Sequence, residues 1–467
     1  MKTSLAKNTI YLSIGNILTK GINLLMIPLF SSWLSTEDYG TFDLYCTYIA
    51  LLIPIISLSS GEAIFRFAID ETNKDEQSKY ISAGLLINLL LLGIIVLAIG
   101  YYSIMSEWSM GLPFILFLIV GILNTHLLSF LRAIKKLTLF SITSVVNTIV
   151  IAVSVTLFVL VQQLGLKGII YGYTCGLAAG CLLIILLTKY PSYIRMGLVD
   201  RPALAQMLHY SLPLIPNNVS WWVINISDRI IINFFLGTAS NGIYALAYKI
   251  PSFFAFLFSS FNISWQETAV SAIHSDERES YFNQILNSTI STIISFCCGI
   301  LALNYFLFEY IFDARYHSGY LYSPILITAI LFNSLIQYFG GIQTSLKRTK
   351  ENGLSTLAGA IINIVLNLVF IKLFDLFAAA ISSLIANMSI CLIRYYYLTN
   401  TFRFRIERQV LLHIVFYLYM LISCYVATCV PWAAFNLILT SLFFLYINWE
   451  YVMRIISKLS FIKTRTR

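Results

Sequence analysis

The chain has 467 residues, of which 58% are apolar and 11% are charged, and its mean hydropathy is +0.81. Soluble domains do not approach this composition, so the sequence predicts a polytopic membrane protein. The net charge of +9 is compatible with a nucleic-acid partner, but no basic, aromatic-interleaved soluble segment is present to bind one, and none is expected. The apolar run after Lys7 is too long for a cleavable signal peptide and is expected to remain as the first span.

Hydropathy and helix breakers predict fourteen membrane-spanning helices and therefore an all-α fold class. Twelve spans is the alternative count, since an even number of spans places both termini on the same side of the membrane. The division at Pro431 and Trp432 decides between the two counts. The predicted spans are residues 8–33, 40–66, 80–105, 111–133, 138–163, 168–188, 208–236, 240–267, 282–310, 319–346, 353–373, 376–399, 409–430 and 432–453.

Basic residues concentrate in alternate connections between the spans. The last internal connection of this basic set is assigned Arg394, Arg403, Arg405 and Arg408. The opposite set of connections holds only Lys167, Arg315 and Lys372. By the positive-inside rule, this pattern predicts that both termini are cytoplasmic.

The sequence contains an internal repeat at the first helical hairpin of each half. Leu34 and Gly40 lie between spans one and two, and Leu236 and Gly242 lie at the same spacing between spans seven and eight. In each half a basic turn follows the fourth span, at residues 132–136 and 347–350. Parallel repeats of this kind are a transporter design, with the substrate path between the halves.

The repeat and the connections divide the chain into four parts. The sequence predicts an N-terminal lobe of six helices at 1–190, a cytoplasmic linker at 191–207 and a C-terminal lobe of six helices at 208–400. Residues 401–467 hold helices thirteen and fourteen and a basic cytoplasmic tail, outside the repeat.

Five polar residues line one face of the first span. At a rise of 1.5 Å per residue, Lys20 lies roughly 18 Å from Asn8, near the middle of a hydrocarbon core of about 30 Å. A charge there needs a wet or protein-lined environment. The residues on this face are Thr9, Ser13, Asn16, Lys20 and Asn23.

Eight charged residues lie within spans or at their edges, and all of them belong to spans one, two, seven and eight. Each would cost about 2.5 to 3.5 kcal/mol at a lipid-facing midplane, so they are expected to face a protein interior or a wet cavity. Lys20 and Lys249 have no acidic residue three or four positions away on their own helices. The eight are Lys20, Arg66, Arg229, Lys249, Asp43, Glu62, Asp228 and Glu267.

Further polar residues on other spans suggest a hydrophilic lumen. The alternative is that these amides only hold helices together. Motifs of soluble enzymes and metal-ligand spacings are absent, so no catalytic residue or metal site is expected. His126 on span four is a candidate titrating group. The predicted lumen residues are Asn16, Asn23, Asn218, Asn225, Asn333 and Gln337.

Two hairpins carry a resemblance to a known family. The first includes Lys7 to Tyr11, Gly15-Asn16, Lys20-Gly21, Asp38-Tyr39-Gly40 and Glu62 to Phe67. The second includes Ser227-Asp228-Arg229 and Gly242 to Lys249. These stretches resemble polysaccharide flippases of the Wzx type, which belong to the MOP superfamily together with MATE exporters and the lipid II flippase MurJ.

The resemblance implies a two-lobed transporter in the bacterial cytoplasmic (inner) membrane. It would move undecaprenyl-diphosphate-linked oligosaccharide repeat units from the cytoplasmic to the periplasmic leaflet, for O-antigen or related surface polysaccharide, by alternating access through a cationic cavity. Polysaccharide polymerase and glycosyltransferases of the same pathway would be partners. In MurJ-like members the two extra C-terminal helices help to form a groove for the lipid tail.

The residues then receive expected roles. Lys20 and Lys249, from opposite lobes, are expected to attract the diphosphate, with Arg229 and Arg66 toward the two mouths. No cofactor is expected. Coupling to a proton or sodium gradient would use Asp43, Glu62, Asp228 or Glu267, and the sequence does not choose among these four.

Two other functions remain open at this point. A MATE-type drug or cation antiporter should have an acidic midplane, whereas the deepest charges here are lysines. A scaffolding membrane protein without transport would not need polar faces in two repeated lobes.

Overall fold

The computed structural model describes residues 2–69, 71, 73–273, 275–426 and 429–447. Within these ranges the chain forms fifteen α-helices, joined by short turns and by 3-10 or π-helical segments. The helices are α1 (Lys2–Trp33), α2 (Thr36–Ile56), α3 (Ser60–Ala68), α4 (Lys74–Met105), α5 (Gly111–Ala133), α6 (Leu137–Val155), α7 (Gly165–Thr188), α8 (Arg201–Ser211), α9 (Leu214–Ile226), α10 (Asp228–Ala272), α11 (Arg278–Phe306), α12 (Ser323–Ser345), α13 (Thr349–Thr399), α14 (Arg408–Val426) and α15 (Val430–Ile447).

The predicted all-α membrane fold is confirmed. In the described part of the chain, eleven helices are long and apolar enough to cross a membrane. α10 and α13 each continue through a break, at Gly237 (φ 85°, ψ 171°) and at Asp375 (φ 47°, ψ −132°). These breaks fall between predicted spans seven and eight and between spans eleven and twelve. The last predicted span extends to residue 453, and residues 448–467 lie outside the described part.

The second predicted span is not one continuous helix. α2 ends at Ile56, and Leu58 and Ser59 both adopt positive φ, at 47° and 52°, before α3 begins. Residues other than glycine rarely adopt this conformation, so two in succession mark a strained break. The local sequence, Ser-Leu-Ser-Ser-Gly at residues 57–61, is polar and contains a Ser-Gly turn signal, which the prediction of one span over 40–66 did not use.

The same turn occurs in both halves of the chain. Lys135 and Lys347 each adopt φ of 60°, and positions 135 and 347 differ by 212. The hydrogen bonds of the two turns match at this offset. Lys136 N donates to Leu131 O over 2.9 Å, and Arg348 N donates to Gln343 O over 2.8 Å. The shared geometry supports the predicted repeat.

The chain packs as two compact units, Met1–Ala245 and Leu246–Arg467. In the first unit, glycines on α7 let α6 approach closely: a Cβ at Gly172 would meet Val155, and one at Gly176 would meet Ile151. In the second unit, α14 and α15 both pack on α11. Each unit buries its own apolar core.

Candidate functional site

The backbones of α2 and α10 touch within the first unit. A Cβ at Gly40 would lie 1.8 Å from the carbonyl oxygen of Thr238, and a Cβ at Gly242 would lie 2.0 Å from that of Thr36. Because 238 and 36 differ by 202, as 242 and 40 do, the two contacts are symmetric copies. Asn241 Nδ2 also donates to Gly40 O over 2.8 Å. The glycines that matched in the repeat therefore permit this close approach.

A buried ion pair lies on the same two helices. Arg229 Nε donates to Asp43 Oδ2 over 2.7 Å, and both side chains are less than a tenth exposed. Oδ2 of the adjacent Asp228 accepts a hydrogen bond from the Tyr244 hydroxyl over 3.0 Å. Of the eight charges predicted for the spans, three thus lie in one buried cluster.

Two residues of α9 form hydrogen bonds, one to the break after α2 and one to the middle of α2. Asn218 Nδ2 donates to Ser59 Oγ over 3.1 Å, and Trp222 Nε1 donates to Thr47 O over 3.0 Å. Asn218 is half-buried. Its assignment to the lumen remains a prediction. In the structure its side chain forms a hydrogen bond with the strained Ser59.

The other predicted cations occupy different environments. Lys20 on α1 and Arg66 on α3 are exposed, and Lys249 on α10 is half-buried. Glu62, expected to serve in ion coupling, accepts from Arg132 Nη1 over 3.1 Å. Asn23 is half-buried on α1. The side chains of Asn16, Asn225 and Glu267 lie outside the described part.

The second unit holds a connected set of amides at the interface of α12 and α13. Gln337 Nε2 donates to Asn333 Oδ1 over 3.0 Å, and Asn333 Nδ2 donates to Asn387 Oδ1 over 3.4 Å. The four-residue spacing of Asn333 and Gln337 placed both on one face of the helix, as predicted. Both are half-buried.

Arg394 corrects the assignment of the basic connection. Arg394 belongs to helix α13 and not to a solvated loop, and its side chain is only 6% exposed. The guanidinium donates to Ser355 Oγ (3.1 Å), Ile336 O (2.8 Å) and Thr356 Oγ1 (2.9 Å). Neutral oxygens thus satisfy this buried cation. Sequence reasoning missed it because basic residues near a span end are usually solvated.

An apolar groove of about 300 Å³ lies on the second unit. Four phenylalanines from α10 and α11 form most of its surface, and Ser288, Thr289 and Thr292 add hydroxyls. The ring of Phe296 also contacts Phe444 of α15, with 6.3 Å between ring centroids. The phenylalanines are Phe254, Phe258, Phe261 and Phe296.

A buried polar chain crosses the first unit. Ser60 Oγ donates to Asn88 Oδ1 over 3.0 Å. Asn88 Nδ2 lies 3.2 Å from His126 Nδ1, and His126 Nε2 lies 2.7 Å from the Tyr190 hydroxyl. All four side chains are less than a tenth exposed. The sequence singled out His126 alone, because its partners are scattered over three other segments.

Comparison with known proteins places this architecture. The family model described as "Polysaccharide biosynthesis protein" matches residues 5–265, more than half of the chain. An uncharacterized membrane protein of Methanocaldococcus jannaschii is 25% identical over 409 residues, which cover 84% of this chain and 97% of that protein.

Solved structures share the fold. The lipid II flippase MurJ in an inward closed conformation gives a TM-score of 0.73 at 16% identity, covering 96% of this chain and all of that one. A multidrug resistance MATE family transporter in an inward-facing conformation gives 0.66 at 12% identity, covering 84% and 98%. The chain therefore shares the fold of these two transporters. The chain is a multi-pass membrane protein that belongs to the polysaccharide biosynthesis protein family.

Proposed function

We propose that the protein is a flippase that moves undecaprenyl-diphosphate-linked oligosaccharide repeat units from the cytoplasmic to the periplasmic leaflet of the bacterial inner membrane. The product would supply O-antigen or a related surface polysaccharide. The observation that carries this proposal is the family match over residues 5–265, which include the charged hairpins. The MurJ neighbour is a lipid II flippase, which is consistent with a lipid-linked substrate here.

The diphosphate is the part of such a substrate that cannot cross hydrocarbon unaided. Lys20 is exposed on α1, the 32-residue helix that contains the first predicted span. In the proposal Lys20 attracts the diphosphate, and Lys249 and Arg66 provide further positive charge. Lysine suits a moving anion, because it is a point charge on a flexible stem, whereas arginine holds phosphate through a bidentate fork.

Arg229 has a different proposed part. Because it is buried against Asp43, its charge is already compensated in this state. We propose that the pair closes one end of the path and that Arg229 reaches substrate only when the pair separates, as alternating access requires. Breaking such a pair costs about 3–5 kcal/mol unless a new partner replaces it, and a diphosphate would be one.

The lipid tail has a candidate binding surface on the second unit. The phenylalanine groove is open, and Phe261 and Phe296 are 40% and 43% exposed. An isoprenoid chain is apolar and matches this lining. In the proposal the tail lies along this groove, with α15 contributing through Phe444. This gives α14 and α15, which lie outside the repeat, a part in substrate binding.

The proposed reaction breaks and forms no covalent bond, so the protein is not proposed to be an enzyme. Glycosyltransferases must make the lipid-linked unit before it is moved, and a polymerase must use it afterwards. Energy for directional movement would come from a proton or sodium gradient, with Asp43, Glu62, Asp228 and Glu267 among the carboxylates available for coupling.

The proposal is tested by removing the protein from its host. We expect lipid-linked oligosaccharide to accumulate on the cytoplasmic side and surface polysaccharide to be lost, with both restored by the wild-type chain. Drug susceptibility should not change. Increased susceptibility to cationic drugs with normal polysaccharide would instead support the MATE-type antiporter and overturn the proposal.

A further inference from the structure

With the Asn88 amide oriented as in this structure, the buried chain of Ser60, Asn88, His126 and Tyr190 corresponds to one protonation state of the imidazole. Ser60 Oγ donates to Asn88 Oδ1, so Asn88 Nδ2 donates to His126 Nδ1. Nδ1 is then an acceptor, and the neutral ring carries its proton on Nε2, which donates to the Tyr190 hydroxyl. The arrangement is that of an uncharged histidine.

The same four residues can also accommodate a protonated histidine. An imidazolium donates from both nitrogens. Rotation of the Asn88 amide by half a turn presents Oδ1 to Nδ1–H and turns Nδ2 toward Ser60 Oγ. Nε2–H continues to donate to Tyr190. In both protonation states each of the three hydrogen bonds therefore pairs a donor with an acceptor, and the states differ in the orientation of Asn88 and in whether Ser60 donates or accepts.

The second unit shows what a purely structural residue does at the same repeat position. Tyr338 and His126 differ by the same 212 positions that relate the turns at Lys347 and Lys135. The Tyr338 hydroxyl donates to the carbonyl of Phe282 over 2.7 Å. A backbone carbonyl cannot pass a proton on. At this position of the second unit, a tyrosine with one hydrogen bond to a backbone carbonyl is thus sufficient for packing. His126 instead forms a hydrogen bond at each ring nitrogen, which packing alone does not require.

The chain of hydrogen bonds ends at the strained break between α2 and α3. Ser60 is the first residue of α3, directly after Leu58 and Ser59 with their positive φ. Ser59 Oγ is in turn bound by Asn218 of α9. A change at Ser60 therefore acts on a segment that stores backbone strain and that is connected to a predicted lumen residue.

The surroundings of His126 contain few other charges. Tyr190, from the turn after α7, is the titratable side chain that touches it in the described part of the chain. Glu62 of α3 is paired with Arg132 of α5. From α7, Cys181 is held by Asn124, and His209 on α8 is exposed. An imidazolium would have no carboxylate beside it and would be costly in this closed arrangement.

We propose that His126 is a proton-binding site of this transporter and that its protonation is transmitted through Asn88 and Ser60 to the break between α2 and α3. Because the closed arrangement disfavours the charged ring, a proton favours a state in which the site is hydrated. The proton then shifts the equilibrium between two states. The proposal rests on the proposed transport function only in treating the two states as states of a transporter.

Hydrogen–deuterium exchange of the full-length protein in lipid nanodiscs tests this without any substrate. Protection of the α3 backbone amides is compared at about pH 8 and about pH 5.5, the range in which histidine titrates, after correction for intrinsic exchange rates. We expect protection of α3 to fall about tenfold in the wild type at the lower pH, a typical coupling between sites. His126→Gln should abolish this response.

The matched control is His413→Gln. His413 is also a buried histidine in a membrane helix, and its Nδ1 lies 3.0 Å from the Ser291 hydroxyl. This variant should respond as the wild type does. An unchanged response in His126→Gln, or no response in the wild type, would overturn the proposal.

Tyr190→Phe provides a second variant should His126→Gln fold poorly. It keeps the ring packed on Phe130, where centroids lie 5.0 Å apart, but removes the hydroxyl that accepts from Nε2. The pH response of α3 should fall severalfold, and a response equal to that of the wild type would contradict the proposal.

A flippase assay that fails while the exchange response persists would count against the proposed function and leave the proton site supported.

Discussion

Arg229 Nε donates to Asp43 Oδ2 over 2.7 Å, with both side chains buried. The two residues are 186 positions apart and belong to predicted spans seven and two. The pair lies on the helices that touch through Gly40 and Gly242, so a close backbone contact and a buried charge pair join the same two helices. The relationship leads to separate predictions for the charges and for the glycines.

Removing one partner of the ion pair should be costly. Asp43→Ala leaves the guanidinium of Arg229 buried without this carboxylate, and we expect the free energy of unfolding in mixed micelles to fall by about 3–5 kcal/mol. Adding Arg229→Met should restore part of the loss, because no lone charge then remains. If the two single changes simply add in the double variant, the pair does not couple the helices.

A methyl group at the glycine contact should force α2 and α10 apart. Gly40→Ala places a Cβ 1.8 Å from the carbonyl of Thr238, and backbone cannot move aside as a side chain can. We expect a loss of about 3 kcal/mol or more, at the upper end for overpacking. Gly93→Ala is the control. Nothing lies within 4 Å of its Cβ, and helix propensity predicts a gain of about 0.5–1 kcal/mol. Equal effects of the two changes would refute the contact.

The buried guanidinium of Arg394 should not tolerate lysine. The substitution preserves the charge but loses the geometry that reaches Ser355, Ile336 and Thr356 together. At about 1.5–3 kcal/mol for each bond to a charged group, losing two should reduce the unfolding free energy by about 3 kcal/mol or more. The exposed Arg403→Lys should be neutral. A stable Arg394→Lys protein, with unfolding equal to the control, would show that the neutral oxygens do not hold the cation.

The linker helix α8 should depend on the ionised form of Asp200. The backbone amide of Ala203 holds the pKa of this carboxyl below its ordinary value of 3.8, and Lys79 adds to the effect at 3.2 Å. Because the pKa is lowered in the folded state, the stabilisation is present above that ordinary value and is lost as the pH falls through the folded value.

Hydrogen–deuterium exchange of the α8 backbone amides measures this loss of stabilisation. Protection relative to α12 should decrease as the pH is lowered from about 5 to about 3 in the wild type. Asp200→Asn retains a side-chain acceptor for Ala203 but cannot titrate, so its α8 should lose less protection on acidification. Equal losses in the two proteins would contradict the role of the carboxylate.

The sequence predicted the positions of many helices well, but it predicted the contacts between residues of different helices poorly. α5 occupies residues 111–133 as predicted, because a continuous apolar run between a glycine and a basic turn defines both its ends. Gly40 and Gly242 were found by the repeat alone. The break at Leu58 and Ser59 was not predicted, although Ser60-Gly61 directly after it is a turn signal, because the apolar runs on both sides were joined into one span.

Charged residues show the same limit. Their concentration in four spans was visible in the sequence, but the pairing of Arg229 with Asp43 joins helices far apart in the chain, and neighbour rules along one helix cannot reveal it. Arg394 was counted with a solvated connection because its neutral partners, from α12 and the start of α13, carry no charge signal. The substrate-binding roles of Lys20, Arg66, Arg229 and Lys249 remain predictions.

The most direct measurement is translocation of an undecaprenyl-diphosphate-linked oligosaccharide by purified protein in proteoliposomes, with Lys20 varied. We expect Lys20→Ala to lose at least about tenfold in rate, which corresponds to about 1.4 kcal/mol, while Lys20→Arg retains partial activity. Lys350→Ala changes an exposed lysine in a predicted cytoplasmic turn and should match the wild type. Normal translocation by a well-folded Lys20→Ala protein would contradict the proposed path.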